Sequence, residues 1–129
     1  MFDSKAFSEW LEKYALFAGV EQRQFLQDQT ILVNNVACSF LYPTNKGRDT
    51  AVILVDAGEI NISIDDKLLQ EAMERNFENY LMNAPLFLFN KDSQRLIIAK
   101  DFEYKNIEPE IFGAILEALT MQALAWHRK

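Results

Sequence analysis

The sequence of 129 residues contains a single cysteine, Cys38, and a single histidine, His127. One cysteine cannot form an intrachain disulfide, which favours a reducing, cytosolic setting. Cys38 lies in an apolar segment, so we expect a buried and inert thiol. His127 is third from the end of the sequence, where chains are commonly poorly ordered, so we do not expect a catalytic pair built on it.

Metal ligands and phosphate-binding loops are equally scarce. The cysteine, histidine and carboxylate residues show none of the clustered spacings typical of metal sites. The four glycines are isolated and form no phosphate-binding loop. No pair of carboxylates stands out for acid–base chemistry. The sequence therefore predicts no metal site and no cofactor, and we expect a protein that is not an enzyme.

Long apolar runs and an excess of positive charge are also missing. No segment approaches the roughly 18 consecutive apolar residues of a membrane span, and the first ten residues contain acids and lack the apolar core of a signal peptide. The formal net charge is −6 at pH 7. This charge argues against nucleic acid, whose binders cluster lysine and arginine, and suits a basic or neutral polypeptide partner.

The composition is that of a globular protein. Hydrophobic residues make up 50% of the chain and charged residues 25%, which are ordinary proportions. The length fits one domain, and the sequence shows no internal repeat, low-complexity tract or flexible linker. We expect residues 1–129 to form a single domain.

Apolar spacing predicts three helices. The first covers residues 4–18, where five side chains recur at steps of three and four: Phe7, Trp10, Leu11, Tyr14 and Phe17. The second begins at Asp65 or Asp66 and runs to about residue 81. The third covers residues 108–126, with Pro109 in its first turn. Residues 21–29 are polar and acidic, and either a loop or a short turn of helix fits them.

Three strands are predicted in the first half of the chain. Residues 30–33 and 36–42 flank Asn34 and Asn35, which tolerate the positive φ of a tight hairpin turn. A loop over residues 43–49 leads to a third strand over residues 50–56, which Ala57 and Gly58 are expected to break. Residues 59–64 alternate in polarity and fit either a further strand or an extended lead into the next helix.

Two further strands form a hairpin, with apolar runs at residues 86–89 and 96–99 around a polar turn at residues 90–94. Both runs are apolar at consecutive positions, so both faces of the sheet carry apolar side chains. The flanking helices can cover one face, and a partner must cover the other. The element order is α-β-β-β-α-β-β-α, which predicts an α+β domain with an antiparallel sheet and helices packed mainly on one face.

The segment from Leu68 onward resembles the small, acidic class I chaperones of bacterial type III secretion, the Tir chaperone-like family. The family's middle helix carries leucines followed by an asparagine, matched here by Leu68, Leu69, Ala72, Met73 and Asn76. An aromatic and aliphatic strand, a polar turn, a leucine-rich strand and a final amphipathic helix follow in the family. They correspond to residues 85–89, 90–94, 96–102 and 108–126.

The first helix and the first three strands also agree in order and length, so the resemblance spans residues 7–126. Two features depart from the family pattern. Residues 60–64 are more strand-like than the family's usual loop. Asn83, Ala84 and Pro85 replace its glycine-rich break.

The resemblance implies a cytoplasmic homodimer that binds the extended N-terminal segment of a secreted effector and keeps it soluble and ready for export. The residues expected to contact the effector are Trp10, Phe17, Val33, Val36, Phe40 and Tyr42, and an ordinary place in the core is the alternative for each. The family fold assigns the dimer interface to Met73, Phe77, Tyr80, Phe87 and Phe89.

Two other functions are compatible with the sequence. One is an adaptor of the same fold that serves partners which are not secreted. The other is a small-molecule-binding or catalytic α+β domain, which predicts a monomer with a closed, polar-lined pocket. The sequence does not identify the effector or the number of effectors.

Overall fold

The computed structural model describes residues 4–43 and 49–127, so most of the predicted loop at residues 43–49 lies outside the described residues. The elements are α1 (Ser4–Ala18), α2 (Gln22–Asp28), β1 (Thr30–Val33), β2 (Val36–Leu41), β3 (Thr50–Glu59), α3 (Asp66–Leu81), β4 (Leu86–Asn90), β5 (Arg95–Glu103), a 3₁₀ turn (Tyr104–Asn106) and α4 (Pro109–His127). The strands form one antiparallel sheet in the order β1-β2-β3-β5-β4. The predicted α+β fold is confirmed.

The acidic segment after α1 is a helix. The Glu21 carboxylate accepts hydrogen bonds from the backbone N–H groups of Arg23 and Gln24, at 3.0 and 2.6 Å. This capping satisfies two N–H groups at the start of α2 that have no partner within the helix. Phe25 is buried and anchors the short helix to the core. Of the two alternatives for residues 21–29, the short helix is therefore correct.

The first hairpin turns where the two asparagines predicted it. Asn34 and Asn35 have φ values of 52° and 67°, and Val33 pairs with Val36. Two consecutive positive φ values define a type I′ turn, whose twist matches that of the flanking strands. The hairpin prediction is confirmed.

The expected break in β3 at Ala57 and Gly58 is wrong. The strand continues to Glu59 through a bulge between Asp56 and Gly58, where Gly58 has a φ of 106°. Glycine tolerates this conformation because it has no Cβ, so the bulge absorbs one residue and pairing with β5 resumes. Beyond Glu59 the chain makes a turn, in which Asp65 N–H donates to the Asn61 carbonyl at 2.7 Å. The separate strand considered for residues 59–64 is therefore not formed.

One face of the sheet, here called the inner face, is covered by α1 and α4. Side chains at alternate positions of β2 and β3 are buried there, as the two-residue period of a strand requires. Aromatic rings fill this layer: Phe112 of α4 lies 5.1 Å from Trp10 and 5.7 Å from Phe40 between ring centroids. The opposite face, here called the outer face, has no helix layer among the described residues, because α3 lies beside β4.

Candidate binding surfaces

Helix α3 caps one edge of the sheet. The side-chain amide of Asn76 donates to the Phe87 carbonyl at 2.8 Å, and its oxygen accepts from the Phe87 N–H at 2.7 Å. Asn79 donates to the Pro85 carbonyl at 3.0 Å. These amides take the backbone positions that a further strand would occupy, so the β4 edge is closed to a partner strand.

The β1 edge is open. In an antiparallel hairpin, every second residue directs its backbone groups away from the partner strand. Val33 faces Val36 across the tight turn, and Phe40 N–H donates to the Gln29 carbonyl at 2.8 Å. This alternation directs the N–H and C=O of Leu32 outward, and no described residue supplies them with a partner. The exposed Leu32 side chain lies on the same strand.

An apolar groove of about 450 Å³ runs beside this open edge. We call it the β1 groove. Its lining comes from the end of α1, from β1 and from one side of α4: Tyr14, Phe17, Ala18, Val20, Ile31, Leu32, Val33, Glu110, Gly113, Ala114 and Glu117. The groove therefore joins unpaired backbone groups to apolar side chains, the two features that an added strand uses.

Gly113 shapes the floor of the β1 groove. A Cβ at this position would lie 2.6 Å from Cε2 of Phe17, which is closer than real Cβ contacts. The absence of a side chain at Gly113 therefore lets the Phe17 ring approach α4 closely. Phe17 remains 48% exposed, so the ring also offers a face to a partner.

A hydrogen bond fixes the β1–β2 hairpin to α4. The side-chain amide of Asn34 donates to Oγ1 of Thr120 at 3.0 Å, and this buried hydroxyl donates to the Glu117 carbonyl at 2.7 Å. The open edge is therefore held at a fixed position relative to the groove wall.

The outer face of the sheet forms a second apolar surface. A concave region of about 720 Å³ lies between β2, β3, β5, β4 and the end of α3. Its apolar lining comes mainly from Leu41, Val52, Leu54, Tyr80, Leu86, Leu88 and Ala99. Tyr80 is 74% exposed and Leu88 48% exposed, so this surface is largely uncovered in the single subunit.

Comparison with known proteins finds matches to solved structures but not to family models or curated sequences. A chain of the ExsC–ExsE complex matches with a TM-score of 0.73 at 15% identity, covering 99% of this chain and 96% of that chain. The Yersinia pestis type III secretion chaperone SycH in complex with a stable fragment of YscM2 gives 0.61 at 14% identity, with 93% and 98% covered.

A third structure, the HopA1–SchA chaperone–effector complex, matches with a TM-score of 0.64 at 10% identity, covering 95% of this chain and 94% of that chain. The chain has the fold of type III secretion chaperones. The resemblance inferred from the sequence over residues 7–126 is confirmed at the level of the fold. It extends over nearly the whole chain, including the first helix and the first three strands.

The residues predicted for effector contact divide between the core and the surface. Trp10, Val36 and Phe40 are buried, with 7%, 2% and 0% of their surfaces exposed. The Trp10 indole also donates to the Ile107 carbonyl at 3.0 Å, which satisfies it inside the subunit. These three side chains stabilise the inner layer and present no surface to a partner, so the core alternative holds for them.

The other three predicted contact residues lie elsewhere. Phe17 and Val33 line the β1 groove. Tyr42 is half-buried and stacks on Phe7 at 5.2 Å between ring centroids, away from the groove lining. The structure thus brings together two of the six residues. The sequence analysis did not assign Glu110 and Glu117 to a site, although their seven-residue spacing places them on one side of a helix.

The predicted dimer residues divide by the alternation of β4. Phe87 and Phe89 point to the inner face, where the Phe87 ring lies 4.8 Å from that of Trp126 and only 2% of Phe87 is exposed. Phe87 therefore belongs to the core of the subunit, and Phe89 is half-buried against it. The outward positions of the same strand are Leu86 and Leu88, which a continuous apolar run cannot distinguish from their neighbours.

The three predicted dimer residues on α3 are exposed. Met73, Phe77 and Tyr80 expose 45%, 73% and 74% of their surfaces. A helix that places this much apolar and aromatic surface in solvent is typical of an interaction surface. Their role in a dimer stays a prediction.

Burial and hydrogen bonding shift the pKa values of Cys38 and Asp56. Burial raises the pKa of the Cys38 thiol to about 12, so the thiol stays protonated at neutral pH. Burial also raises the pKa of Asp56, but hydrogen bonds from Arg95 and the Gly58 N–H outweigh it and leave the pKa below its usual value.

In the described ranges, no group of three potential ligands is placed to hold a metal ion. Within residues 4–43 and 49–127, no helix has the length and apolar character needed to cross a membrane.

Proposed function

We propose that this protein is a cytoplasmic chaperone of type III secretion without enzymatic activity. It binds the extended N-terminal segment of a secreted effector and keeps that segment soluble and competent for export. The observation that carries the proposal is the open β1 edge beside an apolar groove, in a fold shared with a type III secretion chaperone and with a chaperone–effector complex. An unfolded segment needs these two features and no catalytic group.

The client segment adds to the sheet as a strand beside β1. Its backbone pairs with the outward N–H and C=O of Leu32, and every second side chain enters the groove. Phe17, Ile31 and Val33 supply the apolar contact there. Ordering an unfolded segment costs about 2–5 kcal/mol, so the client must gain contacts along more than this one strand.

The state of the thiol supports a role without covalent chemistry. Cys38 is fully buried, and its raised pKa removes the thiolate that a nucleophile requires. Nε2 of His127 lies 3.1 Å from the Asp56 carbonyl, and the imidazole serves there as a contact between α4 and the bulge.

The functional unit is a homodimer joined through the outer face of the sheet and α3. Leu86 and Leu88 of β4 and the exposed side chains of α3 form the interface. The observation that supports this dimer is the concave apolar surface of about 720 Å³, which no helix within residues 4–43 and 49–127 covers. Apolar surface of this extent is unfavourable in water and is buried in a stable oligomer.

The test of client binding is co-expression with the N-terminal regions of effectors encoded near this gene. Limited proteolysis of the purified complex follows. We expect protection of a client segment of about 50–100 residues, the scale of a large wrapped interface. If no client segment is protected although the chaperone itself stays folded, the proposal is wrong.

The dimer has its own test. Light scattering after gel filtration should give about twice the mass of the 15.0 kDa chain. Leu88→Asp places a charge on the outer face and should shift the population to monomer. The matched control is Ile111→Asp, which changes an exposed side chain of α4 on the other side of the sheet.

A monomer from the unmodified chain would favour the ligand-binding alternative. The volume of the outer-face concavity lies within the range of small-molecule sites, about 300–1,000 Å³. The concavity is apolar and open, however, and so differs from the closed, polar-lined pocket that this alternative predicts. A ligand bound there would raise the unfolding temperature.

A further inference from the structure

The β1 groove carries charge of one sign. Among the described residues that line it, Glu110 and Glu117 are acidic and none is a lysine or arginine. Both glutamates are exposed. They are seven residues apart on α4, so they lie on the same side of the helix and about 10.5 Å apart along its axis. The β1 groove is therefore apolar along its floor and has a carboxylate near each end.

The two carboxylates bracket the apolar floor. Gly113 lies three residues after Glu110 and four before Glu117, and the Phe17 ring packs directly on it. The hydrogen bond from Asn34 to Thr120 places the Val33 end of β1 close to the Glu117 turn. A strand added beside β1 therefore passes an acidic, an apolar and an acidic position in turn.

We propose that the β1 groove selects an extended segment in which a lysine or arginine lies two residues from an apolar side chain. This inference rests on the proposed function and concerns which clients that same groove accepts. The apolar side chain contacts Phe17 over Gly113, and the basic side chain reaches Glu110 or Glu117.

The spacing follows from strand geometry. Side chains two residues apart in a strand point to the same face and lie about 6.8 Å apart. From Gly113 on the groove floor, Glu110 is about 4.5 Å and Glu117 about 6 Å away along the helix axis. The flexible side chain of a lysine or arginine covers the remaining difference, and its apolar stem can lie along the groove wall.

The opposite charge pattern is disfavoured. An acidic side chain at the same position would face one of the two carboxylates in a partly desolvated groove, and like charges at such distances oppose binding. The groove therefore discriminates among clients by charge as well as by apolar contact.

Two synthetic peptides of nine residues test the proposal on the full-length protein. The first alternates valine and serine and carries lysine in place of one inward valine, two residues from the central valine. The second carries glutamine in place of that lysine. Dissociation constants are measured by titration of the isotopically labelled protein, followed by NMR at low and at moderate salt.

We expect the unmodified protein to bind the lysine peptide about two- to five-fold more tightly than the glutamine peptide, and less so as salt rises. The double variant Glu110→Gln and Glu117→Gln should bind both peptides equally. The control variant Glu12→Gln and Glu74→Gln changes two exposed glutamates outside the groove lining and the net charge by the same amount. It should keep the preference.

Equal affinity of the unmodified protein for both peptides, or no binding of either, would overturn the charge selection. A preference that survives in the groove double variant would do the same. The proposed function is judged separately, by client protection and by Leu32→Pro, which blocks the open edge. Loss of client binding in Leu32→Pro, with equal affinity for the two peptides, would leave the chaperone function standing and remove only the charge selection.

Discussion

The two edges of the sheet differ in whether their outward backbone groups have hydrogen-bond partners among the described residues. At the β4 edge, Asn76 satisfies both backbone groups of Phe87, and Asn79 takes the next carbonyl. At the β1 edge, the outward backbone groups of Leu32 have no partner among the described residues, and an apolar groove lies beside them. The hydrogen bonds from two asparagines at one edge, and their absence from the described residues at the other, decide where a strand can be added.

The difference indicates that the open edge serves a purpose. An unpaired edge is a site of unwanted association, which proteins commonly avoid by covering or charging it. Here one edge is covered by helix amides, and the other is left free beside two glutamates. The following variants test this contrast, from the largest expected effect to the smallest.

Proline substitutions separate the two sides of β1. Ile31→Pro removes an N–H that faces Cys38 in the β1–β2 register, and should lower the free energy of unfolding by about 2–4 kcal/mol. Leu32→Pro removes an outward N–H, which edge strands tolerate. It should change stability by about 1 kcal/mol or less while abolishing client binding. Urea unfolding and co-purification with the client measure the two effects, and equal destabilisation by both prolines would contradict the open edge.

Substitutions of the asparagines that cap the β4 edge test whether their hydrogen bonds stabilise the fold. Asn76→Ala leaves the N–H and C=O of Phe87 without partners and should lower the free energy of unfolding by about 2–3 kcal/mol. Asn79→Ala removes one hydrogen bond and should cost about 1 kcal/mol. Chemical denaturation compares the two variants. A similar loss of unfolding free energy in both variants would show that the second hydrogen bond of Asn76 does not contribute to stability.

A variant that touches neither edge provides a reference. Arg95 donates two hydrogen bonds to the Asp56 carboxylate, at 2.9 and 2.7 Å, on the outer face of the sheet. Asp56→Asn should lower stability at neutral pH by about 1 kcal/mol and leave the β1 groove unchanged. Client affinity at neutral pH is therefore expected to match that of the unmodified protein.

The pH dependence of the same variant has a defined sign. The pKa of Asp56 is lower in the folded protein than in the unfolded chain, so its contribution is complete above the unfolded pKa of about 3.9. The contribution is lost as the pH falls through the folded pKa. The stability difference between the two proteins should thus disappear in strong acid. A difference that persists there would argue against the ion pair as its cause.

The smallest effect on stability is expected at the groove floor. Gly113→Ala gains about 1 kcal/mol of helix propensity, but its Cβ would lie 2.6 Å from Phe17, so the ring must move away. The free energy of unfolding should change little. Client affinity should fall because the displaced Phe17 ring no longer forms the floor of the β1 groove. In a Phe17→Ala background the clash is absent, so the same substitution should stabilise α4. A double-mutant cycle of thermal unfolding measures this coupling.

Local patterns in the sequence were sufficient for most elements. The steps of three and four from Phe7 to Phe17 predicted α1, and the two asparagines predicted the first hairpin, since both depend only on neighbouring residues. The break expected at Gly58 failed because a positive φ ends a strand in one context and makes a bulge in another. Pairing with β5, about forty residues later, decides between them.

The site was less predictable than the fold. Trp10, Val36 and Phe40 have the size and apolar character of contact residues, but the same properties fill a core. In β4 the continuous apolar run gave no sign that Phe87 points inward and Leu88 outward. Side-chain direction there is set by pairing with β5 and by packing against α4.

The sequence alone determined the absence of a disulfide within the chain, the acidic charge, the periods of the helices and strands and the apolar surplus on both faces of the hairpin, because each is a property of composition or of nearby residues. Only the tertiary structure decided that Asn76 closes one sheet edge, that the other edge stays open, and that Glu110 and Glu117 flank a groove floored by Phe17. Those relations join residues distant in the chain, and only the packing of α3 and α4 against the sheet brings them together.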